Sequence, residues 1–286
     1  MKNRLLVTGA HGLLGSEIVS LFRGDFDLTA VDLAHCDITV GSDVDRTFRE
    51  LRPEILIHCA AYTAVDKAES DREAAFLVNE QGTRNVARAS ARTGCRLVTF
   101  GTDYVFDGEA GRAYREDDET HPLSVYGQSK LAAERACAES GAQYLSIRTQ
   151  WLYGENGKNF VFAILDRARR GEALRVVNDQ TGCPTWARDL AEATRHLTDC
   201  GAAGIVHFSS GGQTTWFDFA QLILDEAAMG PVELTGVSTA SLSLPAPRPF
   251  FSPLDKNRYL SLTGQKPRAW DVAAREFIRE HLASQE

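Results

Sequence analysis

A tyrosine and a lysine stand four residues apart in Leu123-Ser124-Val125-Tyr126-Gly127-Gln128-Ser129-Lys130, where a helical pattern begins. That spacing puts Tyr126 and Lys130 on one helix face. An ammonium beside a phenol favours the phenolate, so the pair predicts a tyrosine that exchanges its proton nearer neutral pH than its free value of about 10. A shift of about three pKa units corresponds to roughly 4 kcal/mol. A solvated surface pair would show the same spacing, so the reading depends on what else the fold brings alongside.

The first candidate is the glycine-rich stretch Leu5-Leu6-Val7-Thr8-Gly9-Ala10-His11-Gly12-Leu13-Leu14-Gly15. An apolar strand pattern passes through Gly9, Gly12 and Gly15 into a helical one. Gly9 suits a tight turn, Gly12 lets the backbone approach a pyrophosphate, and Gly15 lets the helix pack closely on the strand. The helix start at Leu13 and Leu14 offers free N–H groups and a partial positive charge to phosphates. Asp32 ends a second apolar run, seventeen residues after Gly15. An acid about 20 residues on is expected to accept hydrogen bonds from an adenosine ribose. It would repel a 2′-phosphate, and no Arg or Lys follows in Leu33-Ala34-His35. The residues therefore lean toward NADH over NADPH. A strand-end aspartate that caps a loop is the other reading of Asp32.

A third piece is Thr102, at the carboxyl end of the strand pattern Leu97-Val98-Thr99-Phe100-Gly101-Thr102. In a hydride-transfer site its hydroxyl can bond a carbonyl oxygen. Tyr126 would protonate that oxygen as hydride reaches the carbon, and Lys130 would hold the nicotinamide ribose. Without Tyr126 and Lys130, Thr102 reads as a hydroxyl that serves local backbone.

The elements that must position these residues alternate. Strand patterns cover 4–8, 28–32, 55–59, 95–100 and 143–147, with helical patterns at 12–22, 42–51, 71–92 and 126–139. The expected fold class is α/β: a Rossmann-type doubly wound parallel sheet with a smaller C-terminal α/β substrate lobe. The dinucleotide-binding domain spans 1–150, with a later return near 185–212, and 151–286 is mainly substrate-binding lobe. There the pattern gives helices at 159–170, 187–197, 216–228 and 269–281, and strands at 174–177 and 204–208. Residues 231–253, rich in Pro and Ser, read as irregular loop.

The chain has 286 residues, 43% of them hydrophobic, and a formal net charge of −8. An acidic balance excludes nucleic acid and anionic membrane as expected partners. No apolar run reaches the roughly 18 residues that span a bilayer. The N-terminal apolar run resembles a signal peptide only until Thr8-Gly9, which suits a phosphate turn better. The six cysteines are scattered without a C-x-x-C pair and read as buried thiols in a reducing cytosol, so a cytoplasmic protein is expected.

The glycine spacing resembles that of the short-chain dehydrogenase superfamily, and longer blocks resemble one branch of its extended members, the dTDP-4-dehydrorhamnose reductase family. They are Ala60-Ala61-Tyr62-Thr63-Ala64-Val65-Asp66-Lys67-Ala68-Glu69, Thr102-Asp103-Tyr104-Val105-Phe106-Asp107-Gly108, Pro122-Leu123-Ser124-Val125-Tyr126-Gly127, Arg148-Thr149-Gln150-Trp151-Leu152-Tyr153-Gly154, Asn178-Asp179-Gln180-Thr181-Gly182-Cys183-Pro184-Thr185 and Arg248-Pro249. The resemblance implies reduction of the 4-keto group of dTDP-4-dehydro-L-rhamnose by NADH or NADPH, with Thr102, Tyr126 and Lys130 as catalytic trio. By the same resemblance Asp37 and Ile38 flank the adenine, and Ala61, Tyr62 and Thr63 line the cofactor. Val65, Asp103, Tyr104 and Trp151 touch the sugar nucleotide, and Arg248 meets its diphosphate. Trp151 and Tyr104 also read as core aromatics, and Arg248 as a solvated loop residue. Gly101 departs from the serine common in the family. Some members share a magnesium ion across a dimer through glutamates. Glu17 could match one, but Arg188 stands in another's place, so no structural metal is expected and the oligomeric state, a homodimer included, stays open.

Two other classes fit the same scaffold. One is an epimerase or dehydratase of sugar nucleotides. A dehydratase needs an acid and a base beside the threonine, and Tyr104 follows Asp103 where the base should be. The other is a non-catalytic regulatory subunit resembling that of methionine adenosyltransferase, against which the intact trio argues.

Overall fold

The computed structural model describes residues 2–284. Five apolar runs form parallel strands: β1 (Arg4–Thr8), β2 (Asp27–Val31), β3 (Ile55–His58), β4 (Arg96–Thr102) and β5 (Tyr144–Thr149). A sixth strand, Gly204–His207, adds in parallel to β5, so the order is Gly204–His207, β5, β4, β3, β1, β2. The strands are apolar on both faces because helices cover both. Leu5 and Val7 of β1 enter one core with Ile18 and Phe22 of helix Leu13–Phe22 and with Trp186, Phe219 and Phe277 from the second half. Leu6 faces the other side, with Phe48, Val86 and Leu97. One apolar core thus runs through both halves of the sequence.

The chain leaves β1 for β2 on one side and returns to β3 on the other. The crevice between the carboxyl ends of β1 and β3 is therefore the topological switch point, where such sheets bind ligands. Helix Leu13–Phe22 starts there. Its N-cap, Gly12, has no side chain to satisfy the first N–H groups.

The first-half elements lie within two residues of their expected ends, with one difference. The helix expected over 71–92 is Arg72–Phe76, a π-helical turn Leu77–Gly82, then Thr83–Thr93. In the second half, residues 231–253 are not all loop. Leu234–Val237 pairs in parallel with Leu174–Val177, and Thr239–Ser241 forms a 3-10 turn. A four-residue strand with a central glycine carries little periodicity of its own, and its pairing is long-range. Helices Val65–Ala68 and Asn257–Thr263 were also not read from the sequence.

The close approach of turn and helix gives a direct test. A Cβ on Gly15 would collide with the Gly9 carbonyl oxygen and stand 2.9 Å from Ala10 Cα, whereas one on Gly24 would meet nothing within 4 Å. Gly15→Ala is expected to cost about 1–3 kcal/mol in urea denaturation, as for overpacking. Gly24→Ala should stay within about 0.5 kcal/mol of the parent.

Candidate functional site

A cleft of about 480 Å³ opens at the carboxyl ends of the central strands. One wall is the glycine turn. Gly9 has φ +66°, and a side chain on it would stand 2.6 Å from the Ala60 nitrogen. Gly12, Leu13, Leu14 and Gly15 continue that wall, and Ala61, Thr63 and Val65 follow β3 into the cleft. The cradle closed to any Cβ and the uncapped N–H groups fit a dinucleotide diphosphate.

The floor joins β4 to helix Val125–Glu139. Ser124 caps that helix by accepting from the Gly127 N–H at 3.1 Å, and Glu69 accepts from the Val125 N–H at 2.8 Å. Gly127 must lack a side chain because the Tyr104 carbonyl group and Pro122 occupy the space, with Pro122 Cβ 3.1 Å away. The first helical turn is thereby pressed against the end of β4, and Thr102, Tyr126 and Lys130 line one cleft. The Tyr104 and Tyr126 rings meet edge to face at 5.5 Å.

Electrostatics here differ from the expectation for Tyr126. Its ring keeps some exposure to the cleft, but burial of the phenol pushes it up to about 12. Hydrogen bonding with Thr102 opposes that shift and the Asp103 charge adds to it. Desolvation sets the direction, and the Lys130 ammonium that the four-residue spacing supplies is not among the groups that act on the phenol here. Lys130 is 7% exposed, and among the described residues no acceptor bonds its ammonium. Burial lowers its pKa, and the carboxylate of Glu134 opposes that. Asp103 is 1% exposed. Burial raises it to about 7, although Ser252 at 2.6 Å and Thr102 at 3.2 Å both donate to its carboxylate.

The far wall carries Trp151, with Trp216 stacked on it at 3.7 Å and 11°. Trp151 has φ +48°, a left-handed conformation rare for a bulky residue. Gly182 backs its indole, and a Cβ there would lie 2.5 Å from Trp151 Cε2. Trp216 opens helix Trp216–Glu226, whose cap Thr215 accepts from the Asp218 N–H at 3.1 Å. Trp216 was not read as a site residue because a tryptophan at a helix start looks like core. Lys158, exposed at the cleft, was missed for the same lack of a motif. Asn79 was missed too. It lies in the π-helical turn, accepts from the Tyr62 N–H at 2.8 Å and donates to Tyr62 O and Ser129 Oγ. π-turns inside helices often mark functional sites.

Several expected residues lie outside this cleft. Arg248 donates to Asp66 at 2.8 Å and to the Ala246 carbonyl at 2.8 Å. Its guanidinium is thus held by protein partners rather than solvated. Asp32, at the end of β2, is paired with His11, whose backbone N–H it also accepts at 3.2 Å. Asp37 accepts from Thr39 at 2.9 and 2.7 Å, and Ile38 packs where a Gly82 side chain would be. Tyr62 keeps its backbone near the cleft, with its hydroxyl donating to Asp71 at 3.4 Å. Arg188 pairs with Glu280 at 2.9 Å and acts on nearby Glu17. Of the six thiols Cys200 is exposed, a difference from the buried set expected, and Cys59 is half-buried.

A switch-point crevice with a glycine cradle and a Tyr-x-x-x-Lys helix is the architecture of an extended short-chain dehydrogenase. The family described as the RmlD substrate binding domain matches residues 2–283, and the chain belongs to that family. It is 40% identical to the dTDP-4-dehydrorhamnose reductase of Streptomyces griseus, over 96% of this chain and 92% of the relative. It is also 40% identical to a probable dTDP-4,6-dihydroxy-2-methyloxan-3-one 4-ketoreductase of Streptomyces antibioticus, over 99% and 97%. The crystal structure of dTDP-4-dehydrorhamnose reductase from Bacillus anthracis in complex with NADP superposes with a TM-score of 0.94 at 39% identity, over 98% and 100% of the two chains.

The buried Asp103 gives a pH test. Its folded pKa lies above the unfolded value, so the folded state holds a proton that the unfolded state has lost between about pH 4 and 7. That contribution is present at low pH and is lost as pH rises through 7. Relative to Asp103→Asn, the parent should lose about 3 kcal/mol between pH 5 and 8, measured by urea denaturation. A constant difference would mean that Asp103 does not titrate there.

Proposed function

We propose that this chain reduces the 4-keto group of dTDP-4-dehydro-L-rhamnose to give dTDP-L-rhamnose, using NADH or NADPH. The observation that carries this reading is the convergence of Thr102, Tyr126 and Lys130 on one cleft with the glycine cradle. The family membership and the names of both Streptomyces relatives support it, since both names specify reduction at a sugar ketone. When bound, the reduced nicotinamide supplies the hydride.

The residues supply the rest. Thr102 and Tyr126 meet the ketone oxygen, and Tyr126 delivers its proton there. A phenol held near 12 by burial is fully protonated at neutral pH. Ketone reduction needs that state at rest, because an alkoxide is a stronger base than a phenolate and transfer runs downhill. Lys130, unpaired in the cleft, bonds the nicotinamide ribose and stabilises the phenolate left after transfer. Trp151 and Tyr104 bound the sugar, with Val65 at the β3 side. Lys158 adds a local cation for phosphate in an otherwise acidic chain.

The test follows loss of the reduced nicotinamide absorbance with dTDP-4-dehydro-L-rhamnose. The parent should turn over, and Tyr126→Phe should lose about 10²–10⁴-fold in kcat, the usual range for a missing general acid. Unchanged turnover in the variant would remove Tyr126 as donor. Stoichiometric bound nucleotide without net consumption would favour an epimerase. The keto sugar named for the Streptomyces antibioticus relative serves as competitor, and preference for it would change the sugar but not the chemistry.

A further inference from the structure

Glu134 and Arg148 form an ion pair below the cleft, 5% and 2% exposed. Arg148 Nε donates to both carboxylate oxygens, at 3.0 and 3.2 Å, and Nη2 donates to Oε2 at 2.8 Å. The arginine is further held by the Phe106 ring at 5.1 Å and by His207 at 3.4 Å. The pair also explains Gly101. A Cβ there would collide with Glu134 Oε1 and lie 2.8 Å from Arg148 Cγ, so the residue before Thr102 can carry no side chain. Glu134 stands one helical turn after Lys130, on the same face.

We propose that Glu134, clamped by Arg148, is a positioning residue that keeps the Lys130 ammonium charged at the floor of the cleft. The inference rests on the assignment of Lys130 and Tyr126 above. Lys130 and Arg148 are two buried cations, and Glu134 is the carboxylate between them. Burial works against the Lys130 charge, and Glu134 is the first of the groups that support it, ahead of the thiols Cys137 and Cys59. His58, beneath Lys130, is buried and held neutral, pushed down to about 3 by burial and by Lys130 itself. Tyr144 and Cys137 also feel Glu134, and burial keeps both thiol and phenol protonated. His207, beyond Arg148, is likewise pushed down to about 3 by burial. Glu134 is therefore the one carboxylate at hand to balance Lys130 among the groups that act on it.

The sign of its removal is fixed. Loss of a nearby negative charge favours loss of a proton from Lys130 and from Tyr126 alike. Both losses end activity on the alkaline side. The experiment is the pH profile of kcat/KM between pH 6 and 10.5 for the parent, Glu134→Gln and Tyr126→Phe. Glu134→Gln keeps the size and shape of the side chain and one of its two accepting oxygens, and removes the charge. Its alkaline limb should move down by about one pH unit or more, the scale for a unit charge one helical turn away. A limb that superimposes on the parent's, or a kcat lowered equally at every pH, would reduce Glu134 to a packing role and overturn the proposal. If the Gln variant does not fold, Glu134→Asp carries the same test, since it keeps the charge but withdraws it. A smaller downward displacement supports the proposal, and an unmoved limb overturns it. Full activity in Tyr126→Phe would instead sink the underlying site assignment, so the two failures are distinct.

Discussion

The Tyr104 carbonyl group fills the space where a side chain on Gly127 would be. That approach presses the start of one helix onto the end of one strand. Without it, Thr102 at the end of β4 and Tyr126 in the first turn of Val125–Glu139 would face different spaces. Neighbouring contacts then fix the helix from outside. Ser124 and Glu69 satisfy two of its free N–H groups. Asp66, three residues before Glu69, draws the late loop inward through Arg248. The block from Ala60 to Glu69 therefore reads as a bracket: it lines the cleft at Ala61, Thr63 and Val65, and its two acids hold the parts around it.

Burial, rather than pairwise attraction, governs the charges inside that frame. It raises Asp103 and Tyr126 and lowers Lys130. A protonated phenol at rest suits a reductase. In the mechanism proposed above, the ammonium beside it would gain importance later, when negative charge develops on the phenol oxygen. A low dielectric magnifies that late interaction while penalising the resting charges. The helix N-terminus at Leu13, Lys130 and Lys158 also gather positive charge at this cleft, whatever the net charge of the chain.

Much of this was legible in the sequence because it is local. Strand, glycine turn and helix follow one another within residues 4–22, and Tyr126 and Lys130 are one turn apart. What sequence reading missed depends on distant partners. Trp216 matters because Trp151 stacks on it, sixty-five positions earlier. Leu234–Val237 is a strand because Leu174–Val177 lies alongside. Arg248 is not the solvated loop residue that one reading allowed, because Asp66, far away in the sequence, pairs with it. The tuning of Tyr126 was misjudged for a related reason. Spacing reveals a neighbouring charge, but desolvation is set by everything packed around the site.

The N-D-Q-x-G block shows how a motif can encode a shape rather than a reactive group. Asp179 accepts the Thr239 N–H and hydroxyl, and Gln180 donates to the same hydroxyl at 2.9 Å. These bonds anchor the turn from which Gly182 faces Trp151. Gly182 must be bare so that the indole can lie against it, and Trp151 accepts a left-handed backbone to reach that place. Such strain costs on the order of 1–3 kcal/mol and persists only where surroundings over-determine the conformation. Here they do so from two sides, with Gly182 behind the indole and Trp216 stacked on it, itself backed by Phe160 at 4.5 Å. The indole is thus held from two sides at the far wall of the cleft, whose other lining includes Tyr126 and Lys130.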